Sequence, residues 1–301
     1  MLSELFYQIN FSISIIASLV GIIFNFLLTF IIVNHRKCHT IHNLLVCDLS
    51  ISSILYLIIH LIGCYYGIRN DWYSYQPFCT LRMYLITTTV AAITYSFLIQ
   101  AISRLFFSIF YTHTFLLSWR THYILIIIKW LASFLVAIRL LFIEDSFEVV
   151  EEHRMCGIKT HKLPVASYSI ILLYIFPKVF VLIVYGLILH QVCQSTHRVG
   201  SNRIIKITAA CISLNFVRKN LIVLRNMLII LNFLICGGAP YLVLILWDLI
   251  ENGMAPRELY FVSVNSVIVA IAMLPIFLFY KNKRVRNEAF KYLFKDYVRI
   301  D

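Results

Sequence analysis

Residues 259–280 read LYFVSVNSVIVAIAMLPIFLFY, a run without one Asp, Glu, Lys or Arg. About 20 apolar residues carry a helix across the ~30 Å hydrocarbon core of a bilayer. Working outward from this run, six more stretches have the same character, at about 9–34, 41–66, 81–103, 122–143, 165–190 and 226–250. The chain of 301 residues is 61% hydrophobic and only 13% charged. A soluble domain of this size could not hide that much apolar surface. The sequence therefore predicts an all-α membrane protein: one seven-transmembrane-helix bundle over residues 1–301, with no room for a separate soluble domain.

Charge sorts the connecting segments into two sets. Arg36, Lys37, Arg120, Arg198, Arg203, Lys206, Arg218, Lys219, Arg225 and the run from Lys281 to Arg299 fall in segments that alternate to one side. Lys and Arg stay with the cytoplasmic loops, so the N-terminus is expected outside and the C-terminus in the cytoplasm, in the plasma membrane. The acids Glu144, Asp145, Glu148, Glu151 and Glu152 share one opposite loop, and Asp71, Glu251 and Glu258 lie in others. The net charge of +12 is then a property of loops facing an anionic leaflet and does not imply nucleic acid. The first span is read as its own signal anchor. Asn10-Phe11-Ser12 fits the glycosylation pattern but lies at the membrane edge. Ile207–Val217 is apolar but too short to span, and is read as an extension of neighbouring spans or an interfacial segment.

Of the 8 cysteines, Cys47, Cys64, Cys211 and Cys236 sit in apolar runs and are expected to pack as small hydrophobes. Cys79 and Cys156 fall on the outer side, where a disulfide persists. Past the last span, residues 283–297 place Phe290, Leu293, Phe294 and Tyr297 at helical spacing beside many cations. This predicts a short amphipathic helix in the membrane interface. No metalloprotease, hydrolase, phosphate-loop or paired-cysteine pattern is present, so no enzyme, cofactor or metal is expected.

Taken in order, several short signals resemble the rhodopsin-like G-protein-coupled receptors over nearly the whole chain. Gly21-x-x-x-Asn25 looks like the family's first-helix signature, and Asn43-Leu44-Leu45 opens the second span as the family does. Cys79 stands 25 residues before Arg104, the family's spacing from the extracellular disulfide to the basic residue of Asp-Arg-Tyr. Trp130 fits the fourth span, Pro177 and Tyr185 the fifth, Pro240-Tyr241 the sixth and Pro275 the seventh. The resemblance implies a Cys79–Cys156 disulfide, G-protein contact through Arg104 and Tyr185, and helix kinks at Pro177, Pro240 and Pro275.

The departures mark a divergent member. Asp-Arg-Tyr reads Ser103-Arg104-Leu105, so the acid that holds the arginine at rest is missing. Ser53 occupies the position of the family's sodium-binding aspartate, while Asp48 lies five residues earlier, ~140° round the helix. Leu274 and Leu278 replace the asparagine and tyrosine of Asn-Pro-x-x-Tyr, and glycine stands where the family's switch tryptophan belongs. Asn25 and Ser53 are read as interhelical hydrogen-bonders and Trp130 as packing. Lys129, Arg139, Lys178 and Asp48 are intramembrane charges, which mark function by default.

The function implied is reception: an extracellular ligand shifts the helix arrangement and opens a cytoplasmic cleft to a heterotrimeric G protein. The alternatives are a receptor of the same fold that no longer signals, and a transporter or channel. The expected pocket wall is Arg82, Ile86, Tyr241, Trp247 and Tyr260. Ile86 stands where amine receptors carry an aspartate, so an amine finds no counter-ion. The acidic loop above either merely solvates itself or steers a peptide ligand with basic residues.

Overall fold

Among the described residues, seven helices are long and apolar enough to cross a membrane, and the chain is a multi-pass membrane protein. The structure, a computed structural model, describes residues 4–69, 78–143, 146–160, 162–199, 229, 232–251 and 254–293. The crossing helices are α1 (Glu4–Asn34), α2 (Ile41–Ile68), α3 (Cys79–Ser108), α4 (Trp119–Leu141), α5 (Leu163–Gln191), α6 (Asn232–Ile250) and α7 (Arg257–Lys281). A short helix, α8 (Lys283–Leu293), follows a break at Asn282. The apolar segment 207–217, and Glu144, Asp145, Phe294 and Tyr297, lie outside the described residues.

Local chemistry sets several boundaries. Thr40 caps α2 by accepting from the Asn43 N–H at 3.3 Å, and Ser118 caps α4 by accepting from Thr121 N–H at 3.3 Å. Asn282 stops α7, and its amide donates to Asn43 Oδ1 at 2.8 Å, tying the α7–α8 corner to the start of α2. α8 buries Val285 and Ala289, four residues apart on one face, and leaves Phe290 half exposed.

The large apolar side chains divide into two populations. Ile9, Ile13, Ile16, Leu19, Ile23 and Phe26 of α1 are exposed on the outer belt, as lipid contact allows. Inside, Leu28, Leu49, Leu57, Ile93, Ile268 and Leu274 form one core with residues of α5. Small residues let backbones approach: a Cβ on Gly21 would sit 2.8 Å from Leu57 Cδ1 and 2.9 Å from Ala272 Cα, so α1 meets α2 and α7 there. Among the described residues, Asn25 and Ser53 do not bridge helices. Each bonds a carbonyl one turn back in its own helix, Asn25 to Gly21 at 2.8 Å and Ser53 to Leu49 at 2.9 Å.

One element departs from the all-α reading. The segment after α4 folds as an antiparallel hairpin, β1 (Phe147–Val150) and β2 (Met155–Ile158), with Val149 opposite Cys156. A disulfide joins Cys156 to Cys79 at the first residue of α3, across 77 positions of sequence. Arg154 at the hairpin turn pairs with Glu4 of α1 at 2.5 and 2.9 Å and lies over the Tyr7 ring. The hairpin is therefore fastened to two helices at the end of the bundle that carries the disulfide.

Candidate functional site

α3 runs the length of the bundle and connects two features at its opposite ends. At the disulfide end a cavity of about 250 Å³ opens among α2, α3, α5, α6 and α7, near the lower end of ligand-site volumes, roughly 300 Å³. The hairpin roofs it with Val150, His153, Met155 and Gly157. Burial pushes the His153 ring down to about 4, while its bond with the Val150 carbonyl at 3.3 Å opposes the shift.

Four of the five expected wall residues meet in this cavity: Arg82, Ile86, Tyr241 and Tyr260. Trp247 does not. It is 45% exposed on the outside of α6 and absent from the lining, because the face of α6 turned inward here is that of Tyr241, Leu244 and Ile245. The Arg82 guanidinium sits 5.1 Å from the Tyr66 ring, and its Nη2 donates to Cys156 Sγ at 2.9 Å. Glu148 pairs with Lys159 at 3.0 Å, and no described Asp or Glu lines the cavity. Asp248 is buried behind it, accepting from Thr160, from the Tyr260 hydroxyl at 2.7 Å and from the Ala255 N–H at 3.2 Å.

The floor is shaped by the α5 and α6 prolines. A π-helical turn, Ile170–Ile175, precedes Pro177, which brings no N–H to it; the Tyr95 hydroxyl donates to Leu172 O at 3.3 Å. Near Pro240, the Tyr174 hydroxyl donates to Ile235 O at 3.2 Å and Ser266 Oγ to Gly237 O at 2.8 Å. Pro275 lies within α7. A Cβ on Gly238, the position of the family's tryptophan, would stand 2.9 Å from the Tyr174 ring and 3.9 Å from Lys178 Nζ. Tyr174 and Lys178 thus border the space a side chain at position 238 would enter. Lys178 lines the cavity, with Nζ over the Tyr174 ring. The sequence marks Lys178 only as a charge in a span; its place on the cavity floor comes from the π turn, which periodicity does not reveal.

At the other end of α3, Arg104 Nη2 lies 3.1 Å from His42 Nδ1. An arginine only donates, so His42 accepts at Nδ1. Ser103 turns away, to His122 Nε2 at 2.9 Å, while His122 Nδ1 meets the Ser118 carbonyl at 2.9 Å. The arginine is thus held by a neutral imidazole. Tyr185 is 4% exposed and packed in the core, not open to a cleft in this arrangement.

Midway, the intramembrane charges Asp48 and Lys129 meet. Lys129 Nζ donates to Asp48 Oδ1 at 2.8 Å and Oδ2 at 2.7 Å, and reaches Ser52 and Ser96. The Trp130 indole N–H donates to Asp48 Oδ1 at 3.0 Å, so this tryptophan is a hydrogen-bond donor as well as packing. Arg139 ends over the Tyr168 ring at 5.5 Å. Asn10 lies within α1, its Nδ2 donating to the Phe6 carbonyl at 2.9 Å and its Oδ1 accepting from Asn265 of α7 at 3.0 Å.

Comparison with known proteins adds three findings. The family model described as 7 transmembrane receptor (rhodopsin family) matches residues 24–282. Among solved structures, the crystal structure of squid rhodopsin aligns with a TM-score of 0.78 at 16% identity, covering 98% of this chain and 88% of that one. At that identity the likeness is one of fold. No curated protein matches the chain by sequence.

Proposed function

The chain belongs to the rhodopsin family of seven-transmembrane, G-protein-coupled receptors, and we propose that it transmits the binding of an extracellular ligand to a heterotrimeric G protein at the plasma membrane. The observation that carries this reading is the span of α3. One rigid helix touches the roofed cavity through Arg82 and Ile86 and, at its far end, presents Arg104. The disulfide end is assigned to the outside and the end rich in Lys and Arg to the cytoplasm. A ligand that binds one packing of the helices more tightly than another shifts their populations. Outward swing of helix ends about Pro177, Pro240 and Pro275 then frees Tyr185 and Arg104 to meet a G-protein helix.

Among the described residues Arg104 is held by His42 and not by a carboxylate. A neutral partner is weaker than an ion pair in a low dielectric, so measurable ligand-free activity is expected. The acidic loop alone would suggest a basic peptide as ligand. The wall beneath it argues the other way, since Arg82 and Lys178 are its charged members among the described residues. A second reading keeps the fold and the ligand but not the signal. It is favoured by Leu274 and Leu278 in place of the family's asparagine and tyrosine. GTP exchange on membranes containing the chain separates the two.

A further inference from the structure

The cavity described above has a chemistry that narrows its occupant. Its walls are mostly aliphatic and aromatic, and its charged members among the described residues are both cations. The two cations stand at different depths. Arg82 is three residues into α3, ~4.5 Å along its axis, and Lys178 is fifteen residues into α5, ~22 Å along its axis. Arg82 is already engaged with Cys156 Sγ and the Tyr66 ring. Lys178 has a different situation. Among the described residues its contact is the face of Tyr174, which leaves its three donor hydrogens directed by no acceptor oxygen. A cation in an apolar wall is costly until an anion joins it. The space beside it is kept open by Gly238.

We propose that the receptor's ligand is a small organic anion with an apolar body, whose carboxylate or phosphate is bound by Lys178 while its body fills the space between Ile86, Val90, Leu234 and Val267. This rests on the reading of the cavity as the receptor's ligand site. Lys178 is then the residue that selects the head group, and the apolar wall selects the body. A basic peptide or a small amine would bring like charge to Lys178 and Arg82 and is disfavoured.

The test uses the full chain in lipid nanodiscs, without G protein. Straight-chain acids from hexanoic to decanoic and phenylbutyric acid are titrated beside alcohols, amines and phosphate monoesters with the same bodies, and thermal stabilisation gives each affinity. At least one acid or phosphate should bind roughly tenfold or more tightly than its matched alcohol, with the amine weakest. Whichever anion binds more tightly identifies the head group. Lys178→Gln should bring the anion-to-alcohol ratio close to one while alcohols bind as before, which reports an intact cavity. Lys178→Arg should keep the preference. The proposal is overturned if no anion exceeds its alcohol, if amines match the anions, or if Lys178→Gln leaves the ratio unchanged. Failure of signalling reads out differently. An anion that binds but drives no GTP exchange overturns coupling alone, whereas a basic peptide that drives exchange while no anion binds overturns the ligand class alone.

Discussion

Removing the ammonium of Lys129 should be among the most damaging single changes outside the cavity. Its side chain is fully buried and that of Asp48 is 8% exposed, so neither charge has water to fall back on. Asp48 accepts from Lys129 through both oxygens, from Trp130 through Oδ1 and from Ser96 through Oδ2 at 3.2 Å. These partners belong to α2, α3 and α4, so one cluster pins three helices. Lys129→Met leaves the carboxylate with two neutral donors and no cation. Breaking a buried pair from one side costs about 3–5 kcal/mol, a drop in melting temperature on the order of 5–15 °C. Asp48→Asn leaves the opposite charge stranded and should cost a similar amount. The double variant Asp48→Asn/Lys129→Met strands no charge, and should recover about 2 kcal/mol or more relative to the sum of the singles. Thermal unfolding of the four purified forms in nanodiscs measures the cycle. Additive losses would mean that the two groups do not act as a pair, and the argument from buried charge would be wrong.

Three further outcomes are expected. Cys156→Ser opens a loop of 77 positions and frees the hairpin roof, costing about 4 kcal/mol in the chain-entropy model and lowering surface expression, read by flow cytometry. Gly237→Ala drives a methyl into Ala270 of α7 and should destabilise by about 1–3 kcal/mol in the same unfolding assay, since neither helix backbone can yield cheaply. Burial pushes the His153 ring down to about 4, while the same ring in the unfolded chain takes a proton below about 6.5. The unfolded state therefore binds more protons in that window, so stability is full above pH ~6.5 and falls as pH drops toward about 4; His153→Gln should flatten melting temperature against pH there.

What the sequence makes legible follows from the range of each physical signal. Spans of apolar residues are local, so seven helices could be read from runs such as 259–280, and the short order of motifs carried the family. Arg82, Ile86, Tyr241 and Tyr260 converge because their helices pack as those motifs imply, but Trp247 shows the limit. Choosing a face of α6 requires its rotation, and Asp248 with few other polar residues gives that helix no continuous polar stripe to fix it. The hairpin is not legible in the sequence because β1 and β2 are four residues each and lie among the acids of a loop. In the sequence Asp48 and Lys129 are two isolated charges, since 81 positions separate them and nothing local aligns α2 with α4. Lys178 stands beside the cavity through the π turn and Gly238, neither of which local periodicity reveals.

The central claim, that α3 links an outer ligand cavity to G-protein coupling through Arg104, is tested most directly by GTP exchange. Membranes carrying the parent chain or Arg104→Ala are matched for receptor density and assayed with a panel of heterotrimeric G proteins, without ligand. The parent should raise exchange above receptor-free membranes because His42 holds the arginine only weakly, and Arg104→Ala should return it to background while anion binding in the cavity is unchanged. Equal exchange from both forms, at matched density, would contradict the account.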